Sequence, residues 1–291
     1  MDFYLTALLL GLCYSAIALG IYISMKIFNI PDITTDGSYT LGGVVTAIML
    51  THHQPGYIIL PAVIVAGGLS GALTGLIHTK LKINALLAGI LVMTALYSVN
   101  LSLMGRSNLP LISLASLFTI VNISADANHN TFWILTGFVL IITLIIGYLL
   151  KTDFGIAMRA TGNSESMIRS LGVNTDRMKI TGLALANALT ALSGYLVSQY
   201  QGFTDISMGI GIVIVGLGSV IIAETLINWL RITSVWLRLA LVLLGAIIFQ
   251  LVLAVTLSIG VDPNLLKMVT AVFVLLIVSL PRLVPHLNPP R

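Results

Sequence analysis

The chain has 291 residues, of which 57% are hydrophobic and only 8% are charged. Soluble domains carry about 25% charged residues, so this composition excludes a soluble enzyme, a disordered chain and a nucleic-acid-binding protein. The net charge of +4 reflects where the basic residues lie relative to a membrane rather than an acidic partner.

The first apolar run begins close to the N-terminus. The residues before it, Met1-Asp2-Phe3-Tyr4, lack the basic region of a signal peptide, so we expect the run to be retained as a membrane span. The single cysteine, Cys13, lies within it, which excludes an internal disulfide.

Charge-free windows long enough to cross a bilayer recur along the whole chain. A bilayer core about 30 Å thick requires about 20 mostly apolar helical residues. The window 37–79 is too long for one span and is divided by the polar turn 51–56, which contains Pro55 and Gly56. The sequence therefore predicts an all-α polytopic membrane protein of one domain, residues 1–291, with about nine transmembrane helices. Their predicted ranges are 5–25, 38–51, 57–79, 84–104, 131–150, 178–200, 208–228, 238–258 and 265–283.

The positions of Lys and Arg predict the orientation in the membrane. With the N-terminus outside and the C-terminus in the cytoplasm, 12 of the 14 basic residues fall on the cytoplasmic side, as the positive-inside rule requires. Only Arg106 and Lys267 fall outside.

One further apolar segment, residues 107–125, tests this topology. It is rich in Ser, Asn and β-branched residues, and Pro110 lies near its start. If it crossed the membrane, Lys80 and Lys82 would lie on the opposite side from the basic stretch 151–179. We therefore predict that it forms an outer, partly extended cap.

A short motif occurs twice in the chain. Residues 32–37 (DITTDG) follow the first predicted span, residues 205–209 (DISMG) follow the sixth, and each precedes a Gly-rich apolar helix. These two spans run in opposite directions through the membrane. Two four-helix halves of inverted topology, a pattern typical of transporters, are therefore expected.

Several catalytic and ligand-binding motifs are absent from the sequence. There is no G-x-x-x-x-G-K-[ST] loop for nucleotide phosphates and no H-E-x-x-H metal motif, so we expect this chain to bind no cofactor or metal of its own. His52 and His53 are adjacent and would diverge on a helix, which is typical of solvated loop residues.

Polar residues within the apolar windows are the candidates for a solute path or a gate. Glu224 is the acidic residue deepest in such a window, and intramembrane acids are costly. It could form a structural ion pair with Arg231 or Arg238, act in a gate, or relay a proton. The candidates for the solute path are Asn84, Asn187, Gln199 and Tyr200. Helix-to-helix hydrogen bonds are the alternative role for each of them.

The longest polar stretch, residues 151–179, predicts a short helix on the basic side. Asn163 can act as its N-cap and Glu165 lies in its first turn, where the helix dipole favours an acid. Gly172 suits a left-handed C-terminal cap. Met167, Ile168 and Leu171 form an apolar stripe. A membrane-surface connector with this stripe in lipid is the alternative to a protein-binding helix.

The same stretch resembles the coupling loop of permease subunits in ABC importers. Residues 153–163 (DFGIAMRATGN) and 168–174 (IRSLGVN) carry the most specific part of the likeness, which is to the branched-chain amino acid and ribose permease family. Within that family the chain is most similar to a subgroup associated with tryptophan- or tyrosine-type uptake. The likeness continues through residues 32–38, 179–189, 192–194, 199–203, 209–211 and 216–219. Ser164 stands where many relatives carry Pro.

This resemblance implies a function and a set of partners. The chain would be the pore subunit, not an enzyme, in the inner membrane of a bacterium, passing a small polar solute such as an amino acid. Its partners would be a second permease copy, two cytoplasmic ATPase subunits that bind ATP and magnesium, an external binding protein or lipoprotein, and membrane lipid. The resemblance assigns ATPase coupling to Gly162, Asn163, Ser164, Glu165, Met167, Ile168, Arg169, Leu171 and Gly172.

Two other functional classes are compatible with a helical membrane protein. An ion-coupled secondary transporter would use Glu224 as its coupling acid and would need no ATPase. An intramembrane enzyme would need several polar groups at one membrane depth, and the sequence shows no such cluster.

Overall fold

A computed structural model describes residues 2–112, 114–121, 123–124, 126–262 and 265–283. These residues form twelve α-helices and two short strands. The elements are α1 (Asp2–Ile21, continued by a π-helical turn, Tyr22–Ile27), α2 (Thr34–Thr51), α3 (Gly56–Lys80), α4 (Ala85–Met104), β1 (Asn108–Pro110), α5 (Leu117–Ile120), α6 (Ala127–Lys151), α7 (Asp153–Asn163), α8 (Glu165–Ser170), α9 (Thr175–Gln201), β2 (Phe203–Asp205), α10 (Ile212–Trp229), α11 (Val235–Ser258) and α12 (Leu266–Leu283).

Each of the nine predicted spans contains a helix. Within the described residues, seven helices are long and apolar enough to cross a membrane, namely α1, α3, α4, α6, α9, α10 and α11. The helix α2 begins with the polar residues Thr34, Thr35 and Asp36, and α12 contains only a shorter apolar stretch, Met268–Ile277. The polytopic helical fold is confirmed, whereas the number nine stays a prediction.

The described residues of the segment 107–125 adopt the partly extended conformation predicted for them. Its described residues contain β1 and the single-turn helix α5, and no spanning helix. β1 pairs antiparallel with β2, with Leu109 opposite Thr204. The Leu111 N–H also donates to the Gly202 carbonyl at 2.7 Å, so this segment is tied to the chain that follows α9.

The first helix of each predicted half packs against the other half. α1 packs against α10 and α11, and α9 packs against α2 and α3. α1 and α9 also pack against each other, with the Ser193 hydroxyl donating to the Cys13 carbonyl at 2.8 Å. Gly20 faces Ala186 across the same interface, so the two helices run antiparallel. Antiparallel first helices are what two halves of inverted topology require.

The repeated Asp motif has the same local geometry in both places. Asp32 Oδ1 accepts from the Thr34 N–H at 2.9 Å, and Asp205 Oδ1 accepts from the Ser207 N–H at 2.8 Å. In both cases the side chain bonds to the backbone two residues on, which reverses the chain direction. Each turn lies between a long helix and the next helix, α2 in the first case and α10 in the second.

Most basic residues lie at one end of the bundle, which we call the basic end. The end of α1, the end of α3, the start of α9 and the loop helices α7 and α8 meet there. The ion pairs Lys26–Glu224, Lys80–Asp176 and Lys179–Glu165 connect the end of α1 to α10, α3 to α9, and α9 to α8. The β1–β2 pair and residues 52–55 lie at the other end, which we call the opposite end.

Candidate functional site

The stretch 151–179 forms two helices at the basic end rather than the single one predicted. α7 spans Asp153–Asn163, and its N-cap is Thr152, whose hydroxyl accepts from the Gly155 N–H. α8 spans Glu165–Ser170. The prediction that Asn163 caps the short helix is wrong, because Asn163 ends α7. Ser164 takes the cap position with an extended backbone and makes no side-chain capping bond.

The C-terminal end of α8 has the geometry that was predicted from Gly172. Gly172 has a φ of 84°. Its N–H donates to the Arg169 carbonyl, and the Val173 N–H donates to the Ile168 carbonyl. These two bonds form a Schellman motif, which requires a left-handed residue at the position of Gly172. The motif fixes the angle between α8 and the start of α9.

The predicted apolar stripe of α8 is divided between the interior and the surface. Ile168 is 9% exposed and anchors α8 to the rest of the bundle, whereas Met167 is 62% exposed and Leu171 is 68% exposed. Two large apolar side chains thus project from a charged loop, where they make a compact patch suited to a hydrophobic contact.

Glu165 connects α8 to α9 through an ion-pair network. Its carboxylate accepts from Lys179 Nζ at 2.6 Å and from Arg169 Nη2 at 2.9 Å. The Thr175 hydroxyl contacts both Arg169 and the same carboxylate. The hydrogen bond from Lys179 is the main cause of a lowered pKa for Glu165, with the other two partners acting in the same direction against partial burial. These contacts hold α8 to the first turns of α9.

The loop helix α7 is packed tightly on the end of α1. A Cβ at Gly162 would overlap the Ile27 carbonyl oxygen, so only glycine allows this approach. The Asn29 amide donates to the Gly162 carbonyl at 3.1 Å. Because α7 also packs against α9, a displacement of the loop would reach two long helices directly.

A second candidate site is a cleft of about 360 Å³ between α2, α4 and residues 206–210. Its best-positioned charged group is Asp36, in the first turn of α2. The Asp36 carboxylate accepts from the Gly211 and Val213 N–H groups at 2.9 Å each. Gly211 has no side chain with which to cap α10, so Asp36 caps that helix from another part of the chain.

Asn100 lines the same cleft and is only 1% exposed. Its amide nitrogen donates to the Gly37 carbonyl at 3.4 Å. That carbonyl can only accept, so the amide oxygen points the other way, and no donor within the described residues reaches it. A buried acceptor without a partner costs about 1–3 kcal/mol.

Polar residues of α4 line one side of the cleft, and none of them was among the candidates predicted from the sequence. Thr94 and Ser98 line the cleft, and Tyr97 lies between them. Ser102 continues the row one turn further along α4, and all four residues are exposed. The spacing Thr94, Ser98, Ser102 places one polar row on a helix whose other polar residue is the buried Asn100, and this periodicity is visible in the sequence.

The four residues predicted to line a solute path are not brought together. Asn84 caps α4 at the basic end, accepting from the Leu86 N–H. Gln199 and Tyr200 lie at the opposite end, where Gln199 accepts from the Leu117 N–H and Tyr200 packs edge-on against Phe118.

Asn187 lies deep in the bundle and holds α9 to α2. Its amide donates to Asp32 Oδ2 at 2.7 Å, and its oxygen accepts from Ser38 Oγ at 2.6 Å. Ser38 Oγ lies 2.7 Å from Ser70 Oγ on α3. All of these groups are buried, so Asn187 makes helix-to-helix hydrogen bonds and does not face open space.

Glu224 forms an ion pair, but with a different partner from those expected. Lys26 Nζ lies 2.6 Å from Glu224 Oε1, and both side chains are partly exposed. Arg238 instead donates to the Ile232 carbonyl. The expectation of Arg231 or Arg238 failed because Lys26 lies in the π-helical turn at the end of α1, whose position beside α10 the sequence does not reveal. An acid paired with lysine at this end of the bundle is a weak candidate for a coupling proton site.

Within the described part of the chain, no group of three or more His, Cys, Asp or Glu side chains is placed to hold a metal ion. His52 and His53 are exposed in the turn between α2 and α3. Cys13 is buried in α1.

Comparisons with known proteins agree with this arrangement. The family described as "Branched-chain amino acid transport system / permease component" matches residues 3–279. The chain is 37% identical over 268 residues to the "Tyrosine transport system permease protein" of Clostridioides difficile, covering 91% of this chain and 86% of that protein. It is 27% identical over 197 residues to the "Probable branched-chain amino acid transport permease protein LivH" of Methanocaldococcus jannaschii, covering 64% and 62% of the two chains.

Among solved structures, a chain of "PsaBC from Streptococcus pneumoniae in complex with Fab" superposes with a TM-score of 0.54 at 17% identity. The match covers 94% of this chain and 89% of that one. At this identity the likeness concerns the fold alone.

Proposed function

Because this chain belongs to the family of permease components of branched-chain amino acid transport systems, we propose that it is the membrane-spanning subunit of an ATP-driven importer. It forms the path for a small polar solute, and a separate ATPase subunit hydrolyses ATP. The observation that carries this proposal is α8, whose two exposed apolar side chains project from a rigid, capped helix at the basic end.

The orientation follows from the charges. The basic end faces the cytoplasm, as the positive-inside rule requires, so α7 and α8 are presented to a cytoplasmic ATPase. The opposite end, with the β1–β2 pair, faces outward toward a binding protein that delivers the solute. The exposed apolar side chains of α3, α4 and α6 are suited to contact lipid.

Coupling requires that ATPase closure be transmitted to the spanning helices. Met167 and Leu171 fit into a groove of the ATPase, while Glu165 and Gly162 connect the loop to α9 and to the end of α1. A coupling element must make different contacts in two states of the transporter. The short, tightly capped helix α8 is suited to move as a unit between such states.

The solute path runs along the polar row of α4. α4 is the least buried of the seven apolar helices, so the cleft beside it is open on one side. A second copy of the chain closes that side, which makes the transporter a homodimer of permeases. The solute is an amino acid, in keeping with the tyrosine transport permease that the chain resembles.

A substitution in α8 tests the proposal. Leu171→Asp removes an apolar contact worth about 1.5–3 kcal/mol and places a charge without a partner in the interface. Interface anchors of this kind carry most of the binding energy. We expect normal membrane insertion, at least about tenfold weaker ATPase co-purification and loss of uptake.

Ile112→Asp is the matched control, because Ile112 is an apolar residue of similar size, 85% exposed, at the opposite end. It should leave ATPase co-purification unchanged. If Leu171→Asp retains both ATPase association and full uptake, α8 is a membrane-surface connector and the proposed coupling is wrong.

A further inference from the structure

Residues 28–33 join the end of α1 to the start of α2, and we call this segment the link. Connecting segments usually lie at the surface, but Phe28 is 5% exposed and Asp32 is 1% exposed. The Phe28 ring occupies the space that a Cβ at Gly182 of α9 would need. The link therefore runs from the basic end into the interior of the bundle.

Asn29 fastens the link to the loop helix α7. Its amide nitrogen donates to the Gly162 carbonyl at 3.1 Å. Its φ is 54°, a left-handed conformation that asparagine adopts more readily than most residues with a Cβ. One residue thus both turns the chain and bonds to α7.

The other end of the link is fastened where α2 begins. Asp32 accepts from the Thr34 N–H at 2.9 Å and from the Asn187 amide of α9 at 2.7 Å. Two residues beyond Thr34, Asp36 caps α10. The first turn of α2 and the chain before α10 both line the cleft beside α4. A shift of the link would therefore change the walls of that cleft.

The surroundings of the link leave it room to move. An open cavity of about 350 Å³ lies along it, bounded by Asn29 of the link, Gly162 at the end of α7 and Asn84 at the start of α4. The π-helical turn Tyr22–Ile27 directly precedes the link, and such turns are frequent at functional sites.

From these contacts we propose that the link carries the motion of the loop helices to the cleft beside α4. Asn29 is the positioning residue that joins α7 to the link, and Asp32 is the one that joins the link to α2 and α9. Coupling of this kind travels through contiguous packed and hydrogen-bonded groups. This inference rests on the proposed function, because it takes α7 and α8 as the elements that the ATPase moves.

Asn29→Gly tests the first contact without straining the backbone, because glycine adopts a positive φ readily and lacks the donor. Lys82→Gly is the matched control, since Lys82 is exposed at the same end with a φ of 56°. Each is made in a Cys13→Ala background with Ser98→Cys as a thiol in the cleft. The complex with the ATPase is purified in lipid nanodiscs, without nucleotide or trapped with ATP, magnesium and vanadate, and is labelled with a fluorescent maleimide.

Trapping should change the labelling rate of Ser98→Cys by at least about fivefold, the lower end of typical allosteric couplings. The same change is expected with Lys82→Gly. Asn29→Gly should abolish the change and leave ATPase co-purification as it was, because Met167 and Leu171 are untouched.

Asp32→Asn tests the second contact. In either orientation the amide that it introduces sets one donor against another, the Asn187 amide or the Thr34 N–H. It should abolish the response of the thiol to trapping. Adding Asn187→Asp restores an acceptor opposite a donor, and the response should return.

A response to trapping that persists in Asn29→Gly would overturn the inference, and so would loss of the ATPase from that complex. A persistent response in Asp32→Asn, or no recovery with Asn187→Asp, would remove Asp32 from the route. A Ser98→Cys thiol that ignores trapping with the link intact would show that the cleft is not reached. The proposed function fails differently, by ATPase association and full uptake that survive Leu171→Asp.

Discussion

At the residue scale, the two glycines on either side of α8 are required for different physical reasons. Gly172 has open space around its Cα but a φ of 84°, which strains any residue with a Cβ. Gly162 has no such strain and lacks space, because the Ile27 carbonyl lies against it. The sequence predicts the first role, since a glycine after the last helical residue is a local signal. The second depends on a contact between residues far apart in the chain.

Glu165 makes the attachment of α8 to α9 dependent on pH. Its pKa in the folded protein is below the ordinary glutamate value, mainly because Lys179 donates to it. The carboxylate therefore stabilises the folded state fully above the unfolded pKa, about 4.3. This stabilisation is lost as the pH falls through the lower folded pKa.

We therefore expect Glu165→Gln to lower the melting temperature of the purified permease at pH 7. The difference from the unchanged protein should shrink as the pH is lowered below about 4.3. Asp153→Asn is the control, as Asp153 is an exposed acid in the same loop. A gap between Glu165→Gln and the unchanged protein that is constant with pH would show that the ion pairs do not contribute.

At the element scale, the long apolar helices could be predicted from the sequence and the loop helix α7 could not. A run of about 20 apolar residues has one stable form in lipid, because every backbone group must be satisfied within the segment. α7 has two glycines and a mixed composition, DFGIAMRATGN, which gives a weak propensity of its own. It is helical because Met158 and Gly155 are buried against the bundle.

Packing of α7 on the end of α1 provides a direct test of this view. Gly162→Ala would force α7 away from the Ile27 carbonyl, and overpacking of this kind costs about 1–3 kcal/mol. We expect a lower melting temperature of the purified permease.

The matched substitution is Gly137→Ala in α6, where a Cβ meets nothing within 4 Å. Replacing a helical glycine there should be neutral or stabilising by up to about 1 kcal/mol. Equal effects of the two substitutions would mean that the tight approach of α7 to α1 does not exist in the membrane.

The repeated Asp motif predicted where α2 and α10 begin. It did not predict that the starts of these two helices contact each other. Asp36 caps α10 from 175 residues away. A side-chain cap normally comes from the residue that precedes its helix, so nothing local connects Asp36 with Gly211. The same limit applies to Asn187, whose partners Asp32 and Ser38 lie about 150 residues away in the chain. Burial and the orientation of an amide are properties of the packed bundle.

At the scale of the whole molecule, the segregation of charge was predictable because it depends on counting Lys and Arg between apolar windows. The pairing of helices was not, since lipid-facing and buried faces are both apolar in a membrane protein. The small residues that mark close contacts, such as Gly71 against the Leu183 carbonyl, do not indicate which helix they will meet.

Cysteine labelling tests the topology in intact cells with a Cys13→Ala background. Ser166→Cys at the basic end should react only with a reagent that enters the cytoplasm. His53→Cys and Asn128→Cys, both exposed at the opposite end, should react with an impermeant reagent added outside. Labelling of Ser166→Cys and His53→Cys from the same side would change the number of crossings, and labelling of each from the side expected for the other would reverse the orientation.

The exchange of first helices between the two halves has a consequence for how the protein is made. Cys13 and Ser193, which are joined by a hydrogen bond, lie 180 residues apart, so a ribosome adding about 5–20 residues per second makes α1 roughly 10–35 s before its partner in α9. Throughout that interval α1 lies in the bilayer before α9 is present to cover its Cys13 side. The Ser15 hydroxyl donates to the Gly11 carbonyl within the same helix, so this polar group needs no partner from another helix during that interval. The newly made first half therefore cannot complete its helix packing alone, because α1 packs against α9, α10 and α11, which are inserted later.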